Sequence, residues 1–547
     1  MSKKKKNRNR DNNIEYQKKD YSKYYLWIVK AGIITCLFLP LLIVHSHLFA
    51  MQVGKTLVFR TIIEIITFFY ILLIFKKPEY RPKWGLFEIS ITLFIFIYFL
   101  TSLTGANFLR SFWGTAERMG GFFTMLHFWA YFLILISVFK TKKEWKTLFG
   151  VSIFVALLSS LYGLGQSVFF WRTIMPWIEL KDIGIYNEII KYVTPDNFVM
   201  IDNYRPFGTI GNAGLFTAYI LYNLFFGIYL SASNRNILKK VISFILSSMI
   251  LAILIIAGSR SSFLAVIGGL FTVALVYLMT SGKKRVKGFS ILLILFLVLG
   301  SGYIFLNKKE DWVNNNYILA RFVNISLDSD ESRTMTWESS WTGSMDSPIL
   351  GVGPENYNIV FNKYFNPLHF GGYGYVTWYD KAHNIFLDIL TTMGVVGLLS
   401  YMSNFVIIYC FLIKNRRKAR ENLPAFALIA SFPVAYFVQN MFWFDDFSSY
   451  LMLFMFFAFV SYFWNEELQF GYNVEKGKKM MDKMIKISDI RNIGYWIADN
   501  KSIFMAITGI VLVSMIYYTN IKAWKFHDLT TITVAAFSKN ADDSFLW

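Results

Sequence analysis

Three short stretches of the chain join a strong cation or an imidazole to the glycines and caps that hold such groups in place. Arg205-Pro-Phe-Gly-Thr-Ile-Gly-Asn212 leads into an apolar run. Gly208 and Gly211 permit a tight turn, and Thr209 or Asn212 can cap the helix that follows. The N–H groups of such a helix start, with Arg205 beside them, attract an anion. An ordinary cap at a membrane boundary is the alternative. Gly258-Ser-Arg260-Ser-Ser262 turns between two apolar runs with almost no loop. An arginine in so tight a hairpin is costly unless it snorkels to the surface or meets an anion. Asp380-Lys-Ala-His383-Asn384 opens a third helix. An imidazole there can act as a neutral base near physiological pH, although a histidine at a helix start is also common without function.

Two further elements lie between the second and third stretches. Glu331-Ser-Arg333 precedes Trp337, and Pro348-Ile-Leu-Gly351-Val-Gly353 makes a rigid turn. That Gly-x-Gly is no dinucleotide fingerprint, because no strand–helix unit surrounds it. Zinc-spaced Cys/His sets, phosphate-loop lysines and Gly-x-Ser-x-Gly elbows are absent from the sequence. Glu64 and Glu88 lie inside apolar runs and could mark an ion path, which would suit a non-enzymatic transporter. Two such carboxylates without a half-to-half repeat make that the weaker reading.

The elements that must position these groups follow from composition. Of 547 residues, 55% are hydrophobic, 19% aromatic and only 16% charged, with mean hydropathy +0.42. A soluble chain carries about 25% charged residues, so this one lacks the polar surface to cover several soluble domains. The two cysteines, Cys36 and Cys410, sit inside apolar runs and imply no disulfide framework. Apolar runs long enough to cross a membrane fall near 25–46, 57–75, 85–103, 121–139, 147–170, 211–231 and 241–257. The series continues near 261–280, 288–306, 384–413, 423–442, 447–464 and 502–519, so an all-α polytopic membrane protein of about thirteen spans is expected.

The net charge of +20 is mostly a topology signal. MSKKKKNRNR precedes the first span with no small-residue cleavage site after it, which predicts a retained helix and a cytoplasmic N-terminus. Every second loop is then basic, from Lys76–Lys83 through Lys140–Lys146, Arg235–Lys240, Lys283–Lys287 and Lys414–Arg420 to Lys476–Lys486. Nucleic-acid binding need not be invoked. The predicted organisation is a cytoplasmic tail 1–24, a twelve-helix catalytic domain 25–464, a basic cytoplasmic linker 465–501, a thirteenth helix 502–519 and an extracytoplasmic tail 520–547. The long extracytoplasmic loop 307–383, between helices 9 and 10, carries Trp337, Trp341, Tyr357, Tyr364, Tyr373, Tyr375, Trp378 and Tyr379. A folded cap lying on the membrane is expected there; its aromatic faces suit sugar rings or an interfacial belt equally.

Taken in order, Arg205–Asn212, Gly-Ser-Arg260, Arg333 with Trp337, Pro348–Gly353 and Ala382-His383-Asn384 resemble the signature of the O-antigen ligase superfamily, which includes O-antigen polymerases and bacterial O-oligosaccharyltransferases. The match spans about 200 to 413, and Arg118 followed by Gly120 resembles an earlier element. The resemblance implies a GT-C-like membrane glycosyltransferase in the bacterial cytoplasmic membrane, with its active site on the outer face. It would move a glycan from an undecaprenyl-diphosphate carrier to an acceptor hydroxyl of a glycolipid, glycoprotein or wall polymer, without a cofactor. The resemblance makes Arg260 and Arg333 diphosphate-binding and essential and His383 the base; Arg205, Asn212, Arg118 and Asn384 join them as substrate-binding positions, and Asp445 or Asp446 matches an acidic one. A polymerase joining lipid-linked repeat units is the alternative within the family. His369, in the same loop but outside the motif, is expected to be dispensable.

The chemistry is coherent on its own terms. Diphosphate is a good leaving group, so positive charge aimed at the departing phosphate matters more than a general acid. Arginine suits that role because its planar fork pairs with phosphate oxygens and stays charged. Direct attack by the hydroxyl would invert the anomeric centre. No metal is expected, since paired acidic ligands are lacking near the set.

Overall fold

A computed structural model describes residues 20–166, 205–323, 331–370, 378–468 and 501–540. Most of the predicted loop 171–210 and of the tail 1–24, Tyr373 and Tyr375, and the linker 465–501 apart from its ends fall outside the described residues. An apolar run entering hydrocarbon must satisfy its own backbone, and the helix does so within one segment. Among the described residues the chain is accordingly helical, with no strand.

The helices, in chain order, begin with α1 (Ser22–Cys36), α2 (Val53–Lys76), α3 (Leu86–Thr104), the short α4 (Phe108–Trp113), α5 (Phe122–Val138) and α6 (Lys142–Gly165). Then come α7 (Ala213–Ser233), α8 (Ile237–Ile256), α9 (Arg260–Thr280) and α10 (Lys284–Leu306). The long connection folds as α11 (Tyr317–Val323), α12 (Glu331–Ser344) and α13 (Tyr357–Lys363). Last are α14 (Ile385–Lys414), α15 (Leu423–Asn440), α16 (Phe447–Tyr462), α17 (Lys501–Met515) and α18 (Lys522–Asn540). Among the described residues, 12 helical segments are long and apolar enough to span a membrane, and α5 is a shorter apolar helix at the remaining expected position. The final segment runs as helix from Lys501 to Asn540, past the predicted end of the last span at 519.

Burial separates centre from periphery. The apolar windows of α7 and α16 are 89% and 94% buried, whereas those of α10 and the C-terminal segment are 11% and 6% buried. Lipid is as apolar as leucine, so the central helices are held by close packing and interhelical hydrogen bonds. Phe432 stacks on Phe456 at 4.1 Å, Ser152 donates to Asn223 at 2.6 Å, and the Tyr401 hydroxyl donates to Tyr436 at 2.7 Å. Glu64 accepts from Asn520 at 2.8 Å and meets His127 Nε2 at 3.1 Å. Glu88 accepts from the Gly85 N–H at 2.8 Å and from Ser461. Both carboxylates are thus engaged in ties between helices.

The bundle has two chemically different ends. At one, basic connections meet: Lys83 reaches Glu466 at 2.7 Å, Lys142 reaches Asn422 at 3.3 Å, Lys146 reaches the Ser233 carbonyl at 2.5 Å and Arg420 that of Thr280 at 3.2 Å. This is the basic end. The other, the cap end, gathers α4, α12, α13 and the connection 441–446.

The cap is keyed into the bundle by a break in α14. Gly394 has φ +65°, a left-handed conformation, and a Cβ there would lie 2.2 Å from the Ile349 carbonyl oxygen. The break frees the Thr391 and Thr392 carbonyls, which accept from Val352 and Gly353 N–H at 3.1 and 2.8 Å. In return the Val395 N–H donates to the Pro348 carbonyl at 2.8 Å. The Pro348–Gly353 turn is therefore docked by backbone pairing onto a membrane-spanning helix.

Candidate functional site

The segment entering α14 is tied down at nearly every residue. Asp380 accepts from Arg118 Nε at 2.7 Å. Lys381 Nζ lies 2.6 Å from Glu355 and 3.9 Å from Asp388. The Ala382 N–H donates to Asp388 at 3.0 Å, and Asn384 caps α14 by accepting from Phe386 and Leu387 N–H at 3.0 and 3.3 Å. His383 takes up what these anchors leave: its φ is +51°, a conformation that costs about 1–3 kcal/mol for a residue with a Cβ and persists only when its surroundings over-determine it.

The ring of His383 is oriented as well. Its Nδ1 lies 3.1 Å from the Lys381 carbonyl. A carbonyl only accepts, so that nitrogen carries the proton and Nε2 is left as an acceptor. Tyr379, Phe444 and Trp443 surround the imidazole at 5.2, 5.0 and 5.7 Å between ring centres. Burial, together with the positive charge of Arg333, pushes its pKa down to about 4. The side chain is held neutral, in the tautomer that presents Nε2 as its basic nitrogen.

Arg333, on α12, lays its guanidinium 5.3 Å from the Trp443 ring. Arg118 lies 4.7 Å from the Phe444 ring and reaches Glu117 at 3.2 Å. Burial works against the Arg118 charge, but Asp380 outweighs it and raises the pKa further. The 443–444 aromatic pair is thus the floor on which cations from two remote segments meet His383.

The first two motifs join from the other side. Arg205 Nε donates to the Ala257 carbonyl at 3.1 Å, which puts Arg205 on the hairpin that carries Arg260. Ser262, in the first turn of α9, donates to Gln439 at 2.7 Å, and Gln439 donates to the Gly214 carbonyl at 3.3 Å. A Cβ on Gly214 would sit 1.9 Å from the Trp443 ring, so only glycine lets α7 approach. Asn212 caps α7 by accepting from Gly214 N–H at 2.8 Å. Both motifs thereby meet α15 and the 441–446 connection that also supports Arg333 and His383.

Asp445 and Asp446 turn inward. Asp446 caps α16 through the Ser449 N–H at 2.9 Å, while Asp445 accepts from Tyr436 and from Asn440 at 3.2 Å. Burial lifts Asp445 to about 6. With Arg118, Glu355, Lys381 and Asp388 they line a cavity of about 60 Å³ beneath the site, whose described lining holds neither His383 nor Arg333. It has room for a few waters, not for a sugar.

Sequence reading missed Glu355, Lys381, Asp388, Gln439 and the Trp443-Phe444 pair. Lys381 lay in plain view between Asp380 and His383, but its salt-bridge partner Glu355 comes from a separate segment, 26 residues earlier. His369, expected to be dispensable, is buried, lies 3.3 Å from Ser332 Oγ beside Arg333, and stacks on Phe365 at 5.6 Å.

An all-helical polytopic membrane protein, with arginines and a neutral imidazole held at one end of the bundle, is the class these features define. Residues 242–402 match the O-antigen ligase family model, in line with the resemblance read from the motifs. The chain is also 22% identical, over 407 residues, to the teichuronic acid biosynthesis protein TuaE of Bacillus subtilis (strain 168), covering 71% of this chain and 74% of that protein. The match and the relative together point to a membrane glycosyltransferase-like enzyme acting in glycan transfer.

Proposed function

We propose that the chain transfers a glycan from an undecaprenyl-diphosphate carrier to an acceptor hydroxyl at the outer face of the bacterial cytoplasmic membrane, with the cap end outside. The observation that carries this reading is His383, neutral and with Nε2 bare, set beside Arg333. His383 Nε2 takes the proton of the acceptor hydroxyl as that oxygen bonds to the anomeric carbon. The bond from that carbon to the diphosphate oxygen breaks, and the electron pair leaves with the phosphate. Arg260 and Arg333 neutralise the charge that grows there, and attack from the face opposite the leaving group inverts the centre. Arg205, Arg118, Asn212 and Asn384 hold the substrates or the segments that bind them, and Asp445 and Asp446 support α16 beneath.

The test is transfer from a lipid-diphosphate glycan by purified protein. His383→Ala should bind donor normally and lose at least ~10² in turnover, since a base acts in the transition state alone. Turnover within about threefold of the parent would end the proposal. Activity should persist in EDTA; its loss there and recovery with Mg²⁺ would do the same for the metal-free chemistry. The relative's part in teichuronic acid biosynthesis favours a second reading, in which the acceptor is another lipid-linked repeat unit. Products that stay on the carrier and lengthen in repeat steps would identify a polymerase; glycan on a separate acceptor would identify a ligase.

A further inference from the structure

At the basic end, α6, the C-terminus of α7 and α8 enclose a groove of about 800 Å³. Lys142, Lys143, Lys146, Arg235 and Lys239 stand at its mouth. Phe38, Phe154 and Leu246 line it deeper in. Lys142 is engaged by Asn422 and, at 3.9 Å, by Glu467. The nearest carboxylate on α6, Glu144, is turned to Lys30 and to its own helix cap. Arg235 and Lys239 are exposed.

Charge and greasiness lie at different depths. Phe154 is twelve residues beyond Lys142 along α6, about 18 Å at 1.5 Å per residue, and half a hydrocarbon core is about 15 Å. Cations at the membrane surface above an apolar slot one leaflet deep match one chemistry: a phosphate-bearing headgroup on an acyl chain. A free phosphate would leave the slot empty, and a neutral lipid would leave the cations uncompensated. We propose that this groove is a binding site for an anionic phospholipid, its headgroup among Lys143, Lys146, Arg235 and Lys239 and one acyl chain along Phe154 and Leu246. It opens at the opposite end of α7 and α8 from Arg205 and Arg260, so it is separate from the site of transfer.

The full-length chain in non-ionic detergent is titrated with phosphatidylglycerol, phosphatidylcholine or inorganic phosphate, and bound lipid is counted by native mass spectrometry. Phosphatidylglycerol should bind at least tenfold more tightly than phosphatidylcholine, and millimolar phosphate should not displace it. The triple variant Lys143→Gln/Arg235→Gln/Lys239→Gln should lose at least tenfold in affinity. Lys284→Gln/Arg285→Gln/Lys287→Gln removes the same charge at the same end, on the little-buried α10, and should change affinity less than twofold. Lys239→Gln alone, at an exposed position, should weaken binding about fivefold and keeps the test valid if the triple variant misfolds. Equal losses in both triple variants would mean a diffuse polybasic attraction; equal binding of the two lipids, or displacement by phosphate, would equally overturn the proposal.

Discussion

The cap end and the basic end are both rich in cations and use them in opposite ways. At the cap end the charges around His383 are embedded: the Lys381 side chain is 11% exposed and faces Glu355 and Asp388, and Arg118 is clasped by Asp380 and Glu117. At the basic end Lys142 is 43% exposed against its nearest carboxylate, and Arg235 and Lys239 project from a helix start. Embedded charges are oriented, costly to lose and able to shift a neighbour's pKa. Exposed ones are screened within about 8–10 Å by salt and contribute mainly to sidedness and surface attraction. The same residue types thus build a buried, interlocked cluster at one end and an exposed, loosely tied set of charges at the other.

The comparison would break first at the arginines. Arg333→Ala and Arg260→Ala should each lower transfer by about 10²–10³ and weaken donor binding, and lysine at either position should rescue only in part because the paired fork is lost. Full rescue by lysine, measured as kcat/KM on lipid-diphosphate donor, would mean that bulk charge suffices and that the cap end behaves like the basic one.

Next is the buried ion cluster. Lys381→Met leaves Glu355 and Asp388 without their cation and should destabilise the protein by about 3–5 kcal/mol, read as a lowered midpoint in thermal or denaturant unfolding. The variant keeps the Lys381 backbone carbonyl that sets the His383 tautomer but loses the side-chain anchor to Glu355 that fixes it, so turnover of the surviving folded fraction should fall too.

The pH profile sharpens the contrast further. With its pKa held near 4 by burial and by Arg333, His383 is neutral and competent at every pH above that value. The acid limb of kcat/KM assigned to it should therefore fall near pH 4 rather than near 6.5. Arg333→Gln removes a cation that disfavours imidazolium, so the limb should move to higher pH. A limb that stays near 6.5 in the parent would place the imidazole in open water. The smallest effect is expected at the basic end, where Lys239→Gln should alter unfolding stability by no more than about 0.5 kcal/mol.

Much of the molecule was legible in order. Hydropathy and charge alternation located the spans because hydrocarbon imposes one backbone solution and one length. The motifs were legible because caps and tight turns are local: Asn212 caps the helix that Thr209 or Asn212 was expected to cap, and Asn384 caps the helix its motif opens. The last helix was read short. Hydropathy falls after 519, but Lys501–Asn540 continues as helix, with Trp524 against His47 at 4.4 Å, a contact from the far end of the chain.

Residue types, spacing and membrane-crossing pattern follow from the sequence alone, because each depends on neighbours within one helix turn or one bilayer thickness. Which charges face one another does not. Arg118 finds Asp380 across 262 residues, Lys381 finds Glu355 where a turn docks on the break at Gly394, and Trp443 meets both Arg333 and His383 where α7, at Gly214, has closed against it. The His383 tautomer and its lowered pKa belong to that second set, since both are set by atoms brought near by packing, and electrostatic energy depends on distance and burial rather than on order along the chain.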